Sequence, residues 1–285
     1  MAGKLYLCAT PIGNLGDMTF RVLETLKSVD LIAAEDTRNS LKLLTHFEIH
    51  TPLTSYHEYN KVDKAKTLIQ ELKGGKDIAL ITDAGTPGIS DPGEVLTAMC
   101  LDEGIIVTSL PGPSALITAL TMSGLPTGRF CFEGFLPTDN KDKKDILKDL
   151  QDECRTIIIY EAPHRLSKTL RELLDTLGDR RISICRELTK KFETVVPTTL
   201  SEAVCMYETE KPRGEYVLVI EGKSKAIRQM EEEQSWQTLS LEEHMQYYEE
   251  QGLERKEAMK QVAKDRGVSR RDIYQSLLIS GDKEA

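Results

Sequence analysis

The chain has 285 residues, of which 40% are hydrophobic and 29% are charged, a composition that can bury a sizeable core and that excludes general disorder. At this length we expect two medium domains, or two with a small appendage. The 46 acidic and 37 basic residues give a net charge of −9, which argues against broad nonspecific binding to nucleic acid.

The sequence lacks the patterns of membrane, secreted and zinc-binding proteins. No apolar run approaches the roughly 20 residues of a membrane span, and we predict no signal peptide. The six cysteines lie at least 20 residues apart and form no C-x-x-C pair with clustered histidines. We therefore expect reduced thiols, a cytoplasmic protein and no metal site.

The first 110 or so residues alternate β-rich apolar runs with amphipathic helical stretches. Continuously apolar strands separated by helices predict a mainly parallel sheet covered on both faces. The predicted strands are Leu5–Thr10, Asp30–Glu35, Ile78–Thr82 and Ile105–Leu110, with a weaker one near Leu53. The predicted helices are Met18–Ser28, Asn39–Phe47, Val62–Lys73 and Glu94–Glu103.

A second α/β lobe is predicted after the glycine- and proline-containing stretch Gly124–Arg129. The close spacing of its strands around Leu188–Phe192 is hairpin-like, so we expect a mixed sheet. The predicted strands are Phe130–Phe135, Thr156–Tyr160, Ile182–Cys185, Glu193–Val196 and Tyr216–Ile220, and helices are expected near Lys144–Asp152, Leu166–Leu177 and Ser201–Glu208. We assign residues 1–112 to the first lobe and 113–222 to the second.

Residues 223–285 are predicted to form an acidic linker or helix, Lys223–Gln237, followed by a small all-helical module. Gly267 would end one helix, and Ser269 with Asp272 would cap the next. The predicted packing positions of this helix-turn-helix pattern are Val262, Ala263, Val268 and Ile273. Residues 255–271 contain seven bases and two acids, so the module is predicted to contact nucleic acid, and the alternative is a helical hairpin used for dimer contacts.

Loops rich in glycine and proline follow three predicted strands. Thr10–Asp17 has the wrong spacing for a dinucleotide fingerprint, and the chain lacks the sequence of a P-loop. Thr82–Gly93 carries three glycines and two prolines, which give the loop a stiff path and let a ligand approach its backbone. Leu110–Ala115 forms a third such loop. Because ligands bind at the carboxyl ends of parallel strands, we predict a binding site at this edge of the sheet.

Charged strand ends from both predicted lobes indicate a cleft between the lobes. They are Glu35–Arg38, Glu161–Arg165 and Arg186–Lys191. Each alone is better explained by a helix cap or a surface ion pair, and it is their joint placement that favours a site. Tyr56, His57 and Asn60 lie in a further loop that can stack on a base or bind a ribose, and a purely structural loop is the alternative.

Eight motifs in register resemble one family. TPIGNLGD, AEDTR, SYHEYN, TDAGTPGISDPG, PGPSA, EAPHR, RELTKKFE and RGEYVLVIEG follow the order of the tetrapyrrole-methylase-like S-adenosylmethionine (SAM) methyltransferases. Within that superfamily they resemble the enzymes that 2′-O-methylate a decoding-region cytidine of 16S ribosomal RNA. The resemblance covers residues 4–222, and the terminal module resembles the helix-turn-helix appendage of these enzymes.

The resemblance implies two α/β lobes of the tetrapyrrole methylase type, with SAM bound in the cleft between them, and a homodimer without a metal. The residues implied to contact SAM, largely through backbone atoms, are Pro11, Gly85, Thr86, Pro87, Gly88, Ile89, Ser114, Ala115 and Ala162. The implied partner is 16S rRNA within the small ribosomal subunit.

The ribose 2′-oxygen would attack the methyl group in line, and a carboxylate accepting its proton would help. Our candidate acceptors are Glu161, Glu187 and Asp36. The candidate residues for binding RNA are Arg38, Tyr56, His57, Asn60, His164, Arg165, Lys190, Arg270 and Arg271.

Two other functions compete with this reading. One is methylation of a tetrapyrrole such as uroporphyrinogen, against which the AEDTR, SYHEYN and EAPHR motifs and the basic terminal helices argue. The other is a nucleic-acid-binding regulator that only senses SAM. The amount of sequence committed to two loop-lined lobes favours catalysis.

Overall fold

The computed structural model describes residues 2–224, 236 and 239–281. The chain divides into two compact units, residues 1–222 and residues 223–285. Among the described residues, no helix has the length and apolar character needed to cross a bilayer. All six cysteines are free, and Cys8, Cys100 and Cys185 are buried.

The first sheet of the first unit is fully parallel, as predicted. Its strands are β1 (Lys4–Cys8), β2 (Leu31–Ala34), β3 (Leu53–Ser55), β4 (Ile78–Ile81) and β5 (Ile106–Leu110), in the spatial order β3-β2-β4-β1-β5. Because all five strands run the same way, the loops that follow them lie along one edge of the sheet.

Four helices cover this sheet on both faces. They are α1 (Phe20–Ser28), α2 (Thr37–His46), α3 (Lys61–Lys73) and α4 (Gly93–Asp102), and a 3-10 turn, Leu15–Asp17, precedes α1. Along β4, Ile78 and Leu80 belong to one buried cluster with α3 and α4, whereas Ala79 and Ile81 belong to another with α1 and α2. This alternation confirms the predicted two-faced sheet.

The second sheet of the first unit is mixed, which confirms the prediction. Its strands are β6 (Phe130–Phe135), β7 (Thr156–Glu161), β8 (Arg181–Arg186), β9 (Thr194–Thr199) and β10 (Tyr216–Ile220), in the order β6-β7-β10-β8-β9. Only the β6–β7 pairing is parallel. The antiparallel β8–β9 pair is the hairpin that the spacing around Leu188–Phe192 predicted.

Four helices, α5 (Ala115–Met122), α6 (Asn140–Leu150), α7 (Leu166–Leu177) and α8 (Leu200–Thr209), pack on the second sheet. Although α5 directly follows β5 of the first sheet, its Leu116, Ala119 and Leu120 pack against β7 and β10. Ile12, from the loop after β1, lies in the same cluster. The chain therefore crosses between the sheets immediately after β5, and Gly124–Arg129 connects α5 to β6.

Within residues 239–281 the second unit contains three helices, α9 (Leu241–Glu250), α10 (Arg255–Asp265) and α11 (Arg270–Gly281). Gly267 has a φ of +64° after α10, and Ser269 and Asp272 exchange hydrogen bonds at the start of α11, which confirms the predicted turn and cap. Val262, Ala263 and Ile273 are buried together as predicted. The placement of Val268 in this core is wrong, because its side chain points out of the turn and is 44% exposed.

The predicted segment Lys223–Gln237 lies mostly outside the described residues. Within it, the Trp236 ring stacks on the His244 ring of α9 at a centroid separation of 4.2 Å.

Candidate active site

A cavity of about 450 Å³ lies where the two lobes of the first unit meet. The loops after β1, β4 and β5 line it from the first lobe, and the end of β7 and the start of β10 line it from the second. We call it the first cavity. It is the cleft that the charged and glycine-rich strand ends predicted.

Hydrogen bonds tie the three loops of the first lobe together. Thr10 and Gly85 exchange backbone bonds with N···O distances of 2.9 and 3.0 Å. The Thr10 hydroxyl donates to the carbonyl of Thr82 at 3.1 Å, and the Thr86 hydroxyl donates to that of Pro113 at 3.0 Å. The wall of the cavity is therefore set before any ligand binds.

Asp91 organises the loop after β4 from within. Its carboxylate accepts hydrogen bonds from the N–H groups of Gly88, Ile89 and Gly93. Ser90 holds a φ of +61°, a conformation in which non-glycine residues are uncommon. The loop is stiff, as predicted, but its N–H groups already have partners in the protein. Those of Gly88 and Ile89 donate to Asp91, and that of Gly85 donates to the Thr10 carbonyl, so these donors are not available to a ligand.

Six of the nine predicted SAM-binding residues line the first cavity. They are Gly85, Thr86, Ile89, Ser114, Ala115 and Ala162. Pro87 and Gly88 lie in the same loop without lining it, and the place predicted for Pro11 is taken by its neighbour Ile12.

The lining of the first cavity carries one sign of charge. Five carboxylates contribute to it, and neither lysine nor arginine occurs among its lining residues as the described part of the chain gives them. The carboxylates are Glu35, Asp83, Asp91, Glu161 and Glu215. A cavity of this kind favours a cationic ligand. The described residues hold no group of three or more His, Cys, Asp or Glu side chains placed to bind a metal ion.

Glu161, a predicted proton acceptor, is fully engaged in local structure. Its side chain is buried, one oxygen accepts from the Thr169 hydroxyl at 2.5 Å, and the other accepts from the Ala162 N–H at 2.8 Å. Arg165 pairs with it at 3.4 Å and also donates to the carbonyl of Leu136 at 2.6 Å. This geometry makes Glu161 and Arg165 supports of the turn after β7 and does not favour proton transfer or phosphate binding by them.

Glu187 and Lys190 form a second internal cluster. Glu187 accepts from Lys190 Nζ and from the Glu215 N–H, each at 3.0 Å, and Lys190 Nζ also contacts the Glu215 carboxylate at 2.8 Å. Burial alone would raise the pKa of Glu187, but these hydrogen bonds and the charges of Lys190 and Arg186 together lower it. Glu187 is therefore a weak base, and Lys190 is already paired.

Asp36 caps α2 and does not line the cavity. It accepts from the backbone N–H of Arg38 at 2.8 Å and from the guanidinium of the same residue at 2.8 Å. The Arg38 hydrogen bonds lower the pKa of Asp36 to about 2. A carboxylate with this pKa is a poor proton acceptor at neutral pH. The Arg38 side chain itself is exposed.

In the loop after β3, the prediction that Tyr56 contacts RNA is wrong. Tyr56 is buried and donates its hydroxyl to the carbonyl of Pro92 at 2.9 Å, and burial raises its pKa to about 12. It therefore anchors this loop to the loop after β4 and cannot stack on a base. The aromatic ring that the loop exposes is Tyr59, at 98%. His57 and Asn60 are joined by a 2.8 Å bond from the His57 N–H to Asn60 Oδ1.

The remaining predicted RNA-binding residues are exposed. His164 lies in the turn after β7, and Arg270 and Arg271 lie on α11 of the second unit.

Sequence reasoning missed several lining residues. Glu35, which accepts from the Thr82 hydroxyl at 2.8 Å, directly follows β2, and Asp83 follows β4 after Thr82. Both lie in strand ends that the sequence singled out, although neither was named as a site residue. Phe135, Tyr160 and Glu215 come from the second sheet, and no local pattern places them beside the first.

A family model described as Tetrapyrrole (Corrin/Porphyrin) Methylases matches residues 4–204. The chain belongs to the tetrapyrrole methylase family. The matched range spans the first lobe and most of the second, including each loop of the first cavity except the segment that precedes β10.

Relatives of the chain carry the name ribosomal RNA small subunit methyltransferase I. Those of Halalkalibacterium halodurans and Bacillus subtilis are each 50% identical over 272 residues, 95% of this chain and 93% of the relative. That of Thermotoga maritima is 47% identical over 221 residues, which are 78% of this chain and 99% of the relative. These relatives confirm the resemblance that the eight motifs indicated.

Two crystal structures of other proteins share the fold. The uroporphyrin-III C-methyltransferase of Thermus thermophilus, complexed with S-adenosylhomocysteine, is 19% identical with a TM-score of 0.55, covering 79% of this chain and 99% of that one. A diphthine synthase is 12% identical with a TM-score of 0.62, covering 77% and 90%.

Proposed function

We propose that the protein is a SAM-dependent methyltransferase that modifies the ribose 2′-hydroxyl of a decoding-region cytidine in 16S ribosomal RNA. The observation that carries the proposal is 50% identity, over 95% of the chain, to relatives named ribosomal RNA small subunit methyltransferase I. The proposal includes a homodimer, a cytoplasmic location and a substrate within the small ribosomal subunit.

The first cavity fits SAM in size and charge. Its volume of about 450 Å³ is that of a small-molecule site. SAM carries a sulfonium and an ammonium group. Of the five lining carboxylates, Glu161 and Glu215 are paired with Arg165 and Lys190, and the other three, Glu35, Asp83 and Asp91, favour these positive charges. Ile12, Leu188 and Val217 add apolar surface against which uncharged parts of the molecule can pack. The residues that would contact it are Gly85, Thr86, Ile89, Ser114, Ala115 and Ala162.

When bound, SAM supplies an electrophilic methyl group. The chain's own contribution is to hold that group and the ribose hydroxyl within reacting distance and to keep water out. The tied loops after β1, β4 and β5 supply the rigid wall that such positioning needs. A carboxylate facing the cavity would accept the proton, and Glu35 and Asp83 meet this requirement better than the three acceptors that the sequence suggested.

RNA would approach along the edge of the first sheet that carries these loops. Exposed Tyr59, with His57 and Asn60, offers a stacking and hydrogen-bonding surface in the loop after β3. Exposed His164 adds a polar group beside the end of β7, and Arg270 and Arg271 would bind phosphates from the second unit.

The test is transfer of labelled methyl from SAM to 30S subunits, free 16S rRNA and uroporphyrinogen in parallel, with the modified position mapped. We expect label on a cytidine 2′-oxygen of the rRNA. Label on uroporphyrinogen alone, or SAM binding without any transfer, would overturn the proposal in favour of a tetrapyrrole methylase or a SAM-sensing regulator.

A pair of variants links the activity to the first cavity. Ala115→Trp places a large ring in the cavity lining and should abolish both SAM binding and transfer. The matched control, Ala98→Trp, changes an exposed position on α4 and should retain both. Equal SAM affinity in the two variants would place the cofactor elsewhere.

A further inference from the structure

A second cavity, of about 280 Å³, adjoins the first. It lies between the loop after β1, represented by Pro11 and Leu15, and the side of α2 that carries Asn39, Lys42 and His46. Thr82 and Asp83 line both cavities. A molecule in the second cavity would therefore be a direct neighbour of a molecule in the first.

The two cavities differ in charge. The second has Lys42 and His46 in its lining and Asp83 as its one carboxylate. Unlike Arg38 on the same helix, which pairs with Asp36, Lys42 forms no ion pair with any residue of the described range 2–224. An unpaired lysine and a histidine in the lining of one cavity favour an anionic ligand group, and the anionic group of RNA is its phosphate.

Asp83 is held where the cavities meet. One oxygen accepts from the Asp36 N–H at 3.2 Å, and the other is approached by the Asn39 amide nitrogen at 3.5 Å. Both contacts are long, and each carboxylate oxygen keeps acceptor capacity toward a ligand. Asp83 is exposed, in contrast to buried Glu161.

We propose that the second cavity binds the acceptor nucleotide, with a phosphate at Lys42 and His46 and the ribose 2′-hydroxyl at Asp83, which accepts the hydroxyl proton. This inference rests on the proposed function and specifies its substrate site. The 2′-oxygen forms a bond to the methyl carbon as the carbon–sulfur bond breaks, and the electron pair of that bond stays on sulfur. The proton passes from the 2′-hydroxyl to the Asp83 carboxylate and then to water.

Lys42→Ala tests the phosphate contact. We expect KM for the RNA substrate to rise about tenfold and the salt slope of RNA binding to fall by about one, because one phosphate contact is lost. The dissociation constant for SAM and kcat at saturating RNA should stay unchanged. Lys148→Ala, which removes an equally exposed lysine from α6, is the control and should behave as wild type.

Asp83→Asn tests proton transfer, since the amide keeps the shape of the side chain but is not a base. We expect kcat at saturating SAM to fall by about 10²- to 10³-fold, with the melting temperature retained, and the acid limb of the pH profile of kcat to disappear. SAM affinity should fall slightly, because the change also removes one lining charge of the first cavity. Asp63→Asn, on the exposed face of α3, is the control.

The outcomes separate this inference from the proposed function. If the wild-type enzyme methylates 16S rRNA while Lys42→Ala keeps its KM and salt slope and Asp83→Asn keeps its kcat and pH profile, the second cavity is not the acceptor site, and the proposed function stands. If the wild-type enzyme methylates no ribosomal RNA, both fall. Should Asp83→Asn fail to fold, Lys42→Ala decides the matter, because this exposed lysine forms no side-chain hydrogen bond or ion pair within the first unit as described.

Discussion

Glu161 lines the first cavity but serves the structure around it. Replacing it with Gln keeps its shape but removes the charge that pairs with Arg165 and turns one acceptor oxygen into an amide donor. That donor faces either the Ala162 N–H, with which it cannot bond, or the Thr169 hydroxyl, which must then accept and give up its own donation to Glu161. Weakening these contacts of a buried carboxylate costs about 1–3 kcal/mol, so urea unfolding of Glu161→Gln should show a loss of that size. Glu208→Gln, which breaks an exposed pair with Arg171, should cost about 0.5 kcal/mol or less. Equal losses in both variants would contradict the structural role.

Glu153, in the loop before β7, makes folding stability depend on pH. Hydrogen bonds from Arg155 lower its pKa in the folded protein to about 2, from an ordinary value of 4.5. A lowered folded-state pKa contributes stability that is present above the unfolded pKa and is lost as pH falls through the folded one. We therefore expect the free energy of unfolding to decrease between about pH 4.5 and pH 2, and to decrease less steeply in Glu153→Gln. Parallel pH profiles of the two proteins would show that the pair does not contribute.

At the scale of elements, the loops after β1 and β5 approach each other closely at Gly112. A Cβ atom there would lie 2.7 Å from the Cβ of Ala9, so Gly112→Ala must push the two loops apart. Overpacking of this kind costs about 1–3 kcal/mol, and we expect SAM affinity to fall as well, because both loops border the first cavity.

Gly128→Ala is the matched control for that change. An added Cβ at Gly128 meets no heavy atom within 4 Å, so its effect on stability should be within about 1 kcal/mol, and SAM affinity should be unchanged. Calorimetric SAM titration and thermal melting of both variants provide the measurement. Unchanged SAM affinity in Gly112→Ala would mean that the spacing of the two loops does not control the site.

The helices and strands, and the edge of the first sheet at which the site lies, were predictable from the sequence, because apolar periodicity and strand direction determine them. The individual residues of the site were harder to predict. Glu35 and Asp36 are consecutive residues after the end of β2, yet only Glu35 lines the first cavity, whereas Asp36 caps α2. Successive side chains of an extended segment point to opposite sides, and sequence alone does not say which side holds the cavity.

Partners from distant elements were also beyond a local pattern. Lys190 looked like a free cation in a basic strand end, but Glu215, 25 residues later, pairs with it. Likewise Tyr56 looked like a surface aromatic until Pro92, 36 residues later, supplied its hydrogen-bond acceptor. Pairings of this kind depend on the order of the strands in the sheets, and that order cannot be read from any single stretch of the sequence.

At the scale of the whole molecule, the second unit has a buried core of its own, formed by α9, α10 and α11. The Thermotoga maritima relative is covered to 99% by 221 aligned residues, a number no larger than the length of the first unit, residues 1–222. The shared name therefore does not require a second unit, and we expect the unit to modify substrate affinity while the first unit carries the chemistry.

The charge on the second unit gives that expectation a direct test. Several of its bases are exposed and form no ion pair within the residues described for this unit, among them Arg255, Lys256, Arg270 and Arg271. If they bind RNA phosphates, replacing all four with Ala should lower the salt slope of RNA binding by up to about 3, and weaken binding accordingly. SAM affinity should be retained, because the first cavity lies wholly in the first unit.

A control variant with the same change in net charge distinguishes direct phosphate contacts from the long-range electrostatic effect of the protein's net charge on RNA binding. It removes four exposed lysines of the first unit that line neither cavity, namely Lys66, Lys141, Lys144 and Lys148. A long-range effect of net charge would lower RNA affinity equally in both proteins, whereas phosphate contacts would lower the salt slope in the first alone. If neither protein changes its slope, the helices of the second unit do not bind RNA, and the remaining explanation for them is contact between chains, which sedimentation of the truncated and full-length proteins would detect.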